Sequence, residues 1–387
     1  SRRGAVKIGL QEKFKFLFTR MMDYVIDVCG TLTLGYVVFV LASTLLTFLY
    51  RKCVCAKRFA VKDKHVIITG GSTGIGKSIA VECVKRGARV TLMARSEDKL
   101  VQACKEINTE KLNAQYQCAD VTSPSSLESA FGAAERKFGP VDVLITSAGS
   151  AKPGYFLEQD VSTFERSIKL NYLGTVNAAK IAARRMTERR SGHMIFVASA
   201  AAVVSFLGYS SYAPTKYALR GFADSLRNEL RGFGVRISIA YPPDTDTPGF
   251  KKENETKPKE TLAISPPAVY SAVVVAQNIV NGIEMGDYHL GSPDLVQNLL
   301  VSAMSGVSPR AYPMLELAIS PLLGFLQLAF MFYADYIASG YGAGSSGSSS
   351  SSNNKKSVKD SSSSSVSTNG SSSSTKNDDD EGHSKTD

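Results

Sequence analysis

A glycine-rich segment at residues 69–76, with the sequence TGGSTGIG, most constrains the fold of this chain. It follows the apolar run HVII and opens an amphipathic stretch, an order typical of a strand, a tight turn and a helix. Glycines let the backbone approach a pyrophosphate closely, and the free N–H groups of the helix start attract its charge. The segment predicts a nucleotide-binding turn formed by Gly70, Ser72, Thr73, Gly74, Ile75 and Gly76.

Short runs rich in β-branched residues alternate with helical periodicity through the middle of the chain. The predicted strands are residues 66–69, 89–94, 115–119, 141–146, 194–198 and 235–241. Strands that alternate with helices form a parallel sheet covered on both faces, with the ligand at the carboxyl ends of the strands. We therefore expect an α/β fold with a Rossmann-type, doubly wound parallel sheet.

Composition divides the chain into four parts. Residues 1–58 are basic and then apolar, residues 59–310 carry the strand and helix pattern, residues 311–341 are apolar, and residues 342–387 are mostly Ser, Asn, Gly, Lys and Asp. The last part has almost no apolar surface to offset the entropy cost of ordering, so we expect a disordered tail.

The net charge of +10 favours an anionic membrane surface over nucleic acid, because the basic region contains an apolar segment.

Two apolar segments are candidates for membrane contact. Residues 28–50 carry no charge over 23 residues, a helix of roughly 34 Å that crosses a hydrocarbon core of about 30 Å. A transmembrane anchor fits this length better than a signal peptide does, and six basic residues on either side leave its orientation undecided. Residues 317–334 are uncharged and flanked by tyrosines, which indicates membrane association, with a buried helix at a homodimer contact as the alternative.

The six cysteines and four histidines show neither a disulfide framework nor metal-ligand spacing. We expect a reducing compartment and no metal site. Cys53 and Cys55, just past the first apolar segment, are candidate acylation sites, although incidental thiols are the better explanation.

The ends of the predicted strands carry candidate cofactor contacts. The second strand ends in Ala94-Arg95-Ser96, without the acid that binds an NAD ribose, so Arg95 favours the 2′-phosphate of NADPH unless it is a solvated surface charge. Ser72 is placed to add a hydroxyl to the same phosphate. The remaining predicted contacts follow the third and fourth strands and are Asp120, Val121, Ala148 and Gly149.

A second constellation, Asn171, Ser199, Tyr212 and Lys216, supplies the chemistry of carbonyl reduction. Tyr212 is the candidate proton donor, and Lys216, one helical turn further, is expected to lower the Tyr212 pKa and to bind the nicotinamide ribose. Ser199 is expected to polarise the carbonyl, and Asn171 to hold a water that relays protons.

Together these motifs resemble the short-chain dehydrogenase/reductase family over residues 62–292. The resemblance implies a Rossmann-type fold, an NADPH-dependent ketoreductase and the four catalytic residues given above. One departure is Ser147 or Thr146, where the family has an Asn before Ala148-Gly149.

Residues 240–250, 253–258 and 260–261 resemble a narrower branch of the family, as do residues 163–166 and 171–174. That branch implies reduction of the sphingoid ketone 3-oxosphinganine to sphinganine at the cytosolic face of the endoplasmic reticulum, with Pro242 and Thr245 at the cofactor. Residues 244–266 are then the expected lid, and Asp244 or Asp246 could pair with the substrate ammonium or cap a turn. A hydroxysteroid or retinol dehydrogenase and a non-catalytic NADP-binding scaffold remain the alternatives.

Overall fold

The computed structural model describes residues 2–53, 59–108, 113–265 and 268–348. The strands are, in chain order, β1 (His65–Thr69), β2 (Arg89–Ala94), β3 (Ala114–Cys118), β4 (Val143–Thr146), β5 (Gly192–Val197), β6 (Val235–Ala240), β7 (Thr245–Asp246), β8 (Tyr270–Ser271) and β9 (His289–Leu290). The helices are α1 (Arg2–Cys53), α2 (Gly74–Lys85), α3 (Glu97–Ile107), α4 (Pro124–Phe138), α5 (Val161–Ser167), α6 (Gly174–Glu188), α7 (Ala213–Arg231), α8 (Pro248–Asn254), α9 (Lys259–Ile264), α10 (Ala272–Met285), α11 (Leu295–Ala303) and α12 (Pro313–Ser348).

Seven of the strands form one parallel sheet in the order β3-β2-β1-β4-β5-β6-β9. The order reverses between β1 and β4, so the crevice at a topological switch point lies at the end of β1, next to the glycine-rich turn. The predicted doubly wound parallel sheet is confirmed, and the six predicted strands match β1 to β6 within two residues at each end.

The sheet has a hydrophobic core on each face, because successive side chains of a strand point to opposite sides. Val66 and Ile68 of β1 pack in one core with α2, α3 and α10, while Ile67 packs in the other with α4, α6 and α7. Strands buried on both faces read as continuous apolar runs, which explains the run of residues 65–68.

The sequence patterns did not predict the seventh strand of the sheet, β9. It contains two residues, His289 and Leu290, which pair with Ile239 and Ala240 of β6. Two-residue strands carry too little periodicity for a sequence signal. The same holds for β7 and β8, which pair with each other and bracket α8 and α9.

The terminal helices α1 and α12 contain segments long and apolar enough to cross a membrane, Phe16–Leu49 and Pro313–Gly340. The first begins upstream of the predicted 28–50 segment. The hydroxyl of Tyr36 in α1 donates to the carbonyl of Ala318 in α12 at 3.0 Å, so the two helices touch.

The helix α12 ends at Ser348, past the predicted start of the tail at residue 342. Extending an existing helix by a turn avoids the cost of nucleation, which lets small and polar residues continue it. The tail from residue 349 onward lies outside the described residues, and so does the Cys55 thiol.

Candidate active site

The glycine-rich turn joins β1 to α2 and requires its glycines for two reasons. Gly70 and Gly74 have φ values of +69° and +56°, a region that other residues rarely adopt. At Gly76 a Cβ atom would lie 2.4 Å from the carbonyl oxygen of Gly70, so a side chain cannot fit there. Thr73 precedes α2 and makes no capping hydrogen bond with its side chain, which leaves the first N–H groups of the helix able to bind an anion.

A cavity of about 1360 Å³ opens at the carboxyl ends of the strands, beside this turn. Most of the residues predicted to bind a cofactor line it: Gly70, Ser72, Thr73, Gly74, Ile75, Gly76, Arg95, Val121, Ala148, Gly149, Tyr212, Lys216, Pro242 and Thr245. The turn also packs closely on the segment after β4, because a Cβ on Gly70 would lie 2.6 Å from the amide nitrogen of Ala148. The shape therefore fits a dinucleotide laid across the switch point.

Asp120 differs from the other predicted cofactor contacts. Its Oδ1 accepts hydrogen bonds from the backbone N–H and the hydroxyl of Thr122, both at 2.8 Å. These bonds hold the pKa of Asp120 below its usual value. The neighbours Ala119 and Val121 line the cavity, whereas the Asp120 side chain is engaged in its own turn.

Ser199, Tyr212 and Lys216 lie together at the cavity, as their spacing predicts. Ser199 follows β5, and its hydroxyl accepts from the Ala201 N–H at 3.2 Å. Tyr212 precedes α7, and the Lys216 ammonium lies 5.6 Å from the centre of the Tyr212 ring. Lys216 Nζ also donates to the Val197 carbonyl at 3.1 Å, which fixes its direction.

The expectation that Lys216 lowers the Tyr212 pKa is not met in this structure. Burial, together with the Glu253 and Asp244 carboxylates, raises the pKa of Tyr212, while a hydrogen bond to Ser199 lowers it. Burial also lowers the pKa of Lys216 to about 8. Burial is the largest influence on the pKa of both groups, and the phenol is therefore protonated and able to donate.

Asn171 is fully buried beside the catalytic group, behind the cavity wall. It lies in a π-helical segment, Ile168–Leu173, that joins α5 to α6. Its Oδ1 accepts from the Ser150 N–H at 2.9 Å, and its Nδ2 donates to the Ser150 carbonyl at 3.0 Å and to Thr215 Oγ1 at 3.2 Å. These bonds tie the loop after β4 to α7, one residue from Lys216.

Sequence reasoning missed the roles of Tyr209, Glu253 and Lys257, which form a cluster with the predicted residue Asp244 at the edge of the cavity. Lys257 is almost completely buried, with Nζ 3.5 Å from Glu253 Oε1 and 3.9 Å from Asp244 Oδ2. Glu253 also accepts a hydrogen bond from Tyr209, and Asp244, Glu253 and Tyr209 all line the cavity. The i, i+4 spacing of Glu253 and Lys257 was the available signal, but such pairs are common on solvated helices.

Asp246, the other predicted ammonium partner, faces away from the cavity. Its carboxylate is 63% exposed and lies 3.5 Å from Lys251 Nζ. Adjacent residues of a strand point to opposite sides, and in β7 Thr245 is buried at the cavity while Asp246 faces solvent. Asp244, which precedes β7, lines the cavity. The part of the ammonium hypothesis that concerns Asp246 is therefore wrong.

The chain is similar to known proteins over this entire region. A sequence model described as short chain dehydrogenase matches residues 64–258. The 3-ketodihydrosphingosine reductase of Bos taurus is 42% identical over 275 residues, which is 69% of this chain and 83% of the bovine protein. The 3-ketodihydrosphingosine reductase of Dictyostelium discoideum is 37% identical over 308 residues, covering 74% of this chain and 91% of its own length.

A crystal structure of an actinorhodin polyketide ketoreductase with NADPH superposes with a TM-score of 0.55 at 25% identity. The match covers 59% of this chain and 95% of the ketoreductase. The family match, the parallel sheet and the glycine turn agree, and the chain belongs to the short-chain dehydrogenase family.

Proposed function

We propose that this chain is an NADPH-dependent ketoreductase that reduces 3-oxosphinganine to sphinganine. One observation carries the proposal: at 42% identity the chain covers 83% of a bovine protein named 3-ketodihydrosphingosine reductase. The cavity supports it, because Ser199, Tyr212 and Lys216 meet at the switch-point crevice where this family of folds binds its dinucleotide.

The residues at the cavity fit a nicotinamide dinucleotide. The turn at residues 70–76 offers backbone N–H groups to a pyrophosphate and has no room for side chains at Gly70 and Gly76. Arg95 and Lys99 line the cavity after β2 and provide positive charge for a ribose phosphate. We therefore infer that the cofactor is NADPH and that these two cations select it.

The protein's part in the reaction is to hold the carbonyl and supply a proton. When bound, the nicotinamide supplies the hydride. Ser199 donates a hydrogen bond to the carbonyl oxygen, and Tyr212, whose pKa is raised by burial, gives its proton to the developing alkoxide. Lys216 holds positive charge beside the phenol, which favours the phenolate that remains and opposes the effect of burial on the Tyr212 pKa without reversing it. Asn171 acts by positioning, since its hydrogen bonds hold the loop at Ser150 against α7.

We further propose that the protein is attached to the endoplasmic reticulum membrane with its catalytic body in the cytosol. Both terminal helices of the described chain include segments apolar enough for a bilayer. An amino ketone with a long alkyl chain partitions into lipid, so an enzyme held at the membrane meets its substrate there.

Oxidation of NADPH by the full-length protein in mixed detergent micelles tests the proposed function. We expect turnover of 3-oxosphinganine, a loss of at least about 100-fold in kcat for Tyr212→Phe, and cofactor binding that is nearly unchanged. Tyr217→Phe is the matched control, because Tyr217 lies on the same helix and is 39% exposed. Turnover of steroid or retinoid ketones without 3-oxosphinganine would contradict the proposal, and cofactor binding without any turnover would favour a scaffold.

A further inference from the structure

The cavity extends beyond the catalytic group to the last helix of the described chain. Phe330 of α12 lines the same cavity as Tyr212, and so do Val296 and Leu300 of α11. Ligand pockets usually measure roughly 300–1,000 Å³, and this cavity measures about 1360 Å³. There is room for an extended second ligand beside a dinucleotide.

The helix α12 has two different faces. The partly shielded residues recur every three or four positions and so form one face, which consists of Leu323, Gln327, Phe330 and Ala334. Its outward face is apolar and open, with Phe325 69% exposed and Phe332 63% exposed. This pattern fits a helix that packs one stripe on the protein body and presents the rest to lipid.

A polar contact holds α12 at the edge of the cavity. The Tyr333 hydroxyl donates to the Ala263 carbonyl in α9 at 3.2 Å. Two residues close to this contact line the cavity, Ser265 just after α9 and Phe330 about one helical turn before Tyr333. The membrane-facing helix and the lid segment therefore meet where the cavity opens.

We propose that Phe330 forms the wall along which the alkyl chain of the substrate lies, so that the chain runs from the catalytic group between α11 and α12 toward lipid. This inference rests on the proposed function. The wall is made of Val296, Leu300 and Phe330, which carry no charge or hydrogen-bonding side chain, and Val296 is 66% exposed at its outer end. Such a surface suits a methylene chain. Asp294 and Gln297 also line the cavity here, but their side chains bond to backbone groups: Asp294 Oδ1 accepts from the Gln297 N–H, and Gln297 Nε2 donates to the Tyr241 carbonyl.

The test compares Phe330→Ala with Phe332→Ala in the full-length protein. Phe332 lies on the same helix and faces away from the cavity, so it controls for loss of an apolar ring from α12. Each variant is assayed with 3-oxosphinganine and with an analogue whose chain ends a few carbons beyond the carbonyl. A buried methylene contributes about four-fold to binding, so we expect Phe330→Ala to lower kcat/KM for the long substrate roughly ten-fold.

The short analogue should be reduced equally by Phe330→Ala and wild type, which also shows that the variant folds. Phe332→Ala should keep the chain-length dependence of wild type. Equal losses in both variants would mean that α12 serves only as an anchor, and an unchanged dependence in Phe330→Ala would mean that the chain does not pass this wall. Either result overturns the inference, whereas a wild-type protein that reduces neither ketone overturns the proposed function instead.

A long-chain analogue with a diazirine at its alkyl end gives a second readout. We expect light-induced labelling of the peptide that contains Phe330, and labelling confined to other parts of the chain would contradict the proposed path.

Discussion

We propose that the Arg95 guanidinium selects NADPH over NADH. It follows β2, is exposed, and lines the cavity with Ser96 and Lys99. A charge-assisted hydrogen bond contributes about 1.5–3 kcal/mol, so we expect Arg95→Ala to raise the KM for NADPH roughly 10- to 100-fold and to leave the KM for NADH nearly unchanged. Initial rates with both cofactors measure this.

Arg89→Ala is the matched control, because Arg89 begins the same strand and its guanidinium donates to the Asp63 carbonyl at 3.1 Å, away from the cavity. A parallel rise in both KM values for Arg95→Ala would show that the guanidinium does not read the ribose phosphate.

The pKa of Lys216 determines how we expect the activity to depend on pH. Burial lowers its pKa to about 8, so its ammonium is present below that pH and is lost above it. Reduction needs the positive charge of the Lys216 ammonium beside the proton donor Tyr212. We therefore expect kcat/KM to be flat at neutral pH and to fall as the pH rises through about 8. A pH profile of kcat/KM for wild type and Lys216→Arg checks the assignment, because a guanidinium stays charged over this range. An identical alkaline fall in Lys216→Arg would assign the titration to another group.

The spacing of Ser199, Tyr212 and Lys216 was sufficient to predict that they share a site, because one strand end and one helix start hold them. The Glu253, Lys257 and Tyr209 cluster was not predictable in the same way. Its members approach one another through the segment between β7 and β8, whose path depends on packing rather than on local periodicity. The direction of the Tyr212 pKa shift also depended on burial, which a sequence does not reveal.

The β1–α2 turn depends on glycine for space as well as for conformation. Gly76→Ala would place a methyl group 2.4 Å from the Gly70 carbonyl oxygen, so the turn must shift. We expect a loss of about 1–3 kcal/mol in the free energy of unfolding and weaker stabilisation by NADPH. Thermal unfolding with and without the cofactor measures both effects.

Gly221→Ala is the control for Gly76→Ala, because Gly221 lies within α7 and an added Cβ meets nothing within 4 Å. That change should stabilise the protein by up to about 1 kcal/mol. An unfolding temperature and a cofactor response in Gly76→Ala equal to those of wild type would refute the steric role of this glycine.

The long strands of the sheet were predictable because burial on both faces makes them continuous apolar runs, as in residues 65–68. The edge strand β9 was not, because its two residues take their conformation from pairing with β6. The stripe of α12 that packs on the body was hidden for a related reason. Both faces of α12 are apolar, so hydropathy alone does not separate the side of the helix that meets protein from the side that meets lipid.

Along the sequence, the catalytic body is preceded by one apolar helix, α1, and followed by another, α12. The side of the membrane on which this body lies can be tested directly. The triplet Asn254-Glu255-Thr256 is a glycosylation sequon at the exposed end of α8. A cytosolic body predicts that Asn254 stays unmodified in a eukaryotic host, because oligosaccharide transfer takes place in the lumen. Electrophoretic mobility before and after endoglycosidase treatment measures the modification.

A positive control makes an unmodified Asn254 informative. A version with a cleavable secretory signal in place of residues 1–58 sends the body into the lumen, where the exposed Asn254 should gain a glycan that Asn254→Gln lacks. Glycosylation of Asn254 in the unaltered chain would place the catalytic body in the lumen, away from cytosolic NADPH. The substrate path along Phe330 would survive that result, because α12 meets the body in the same way on either side of a bilayer.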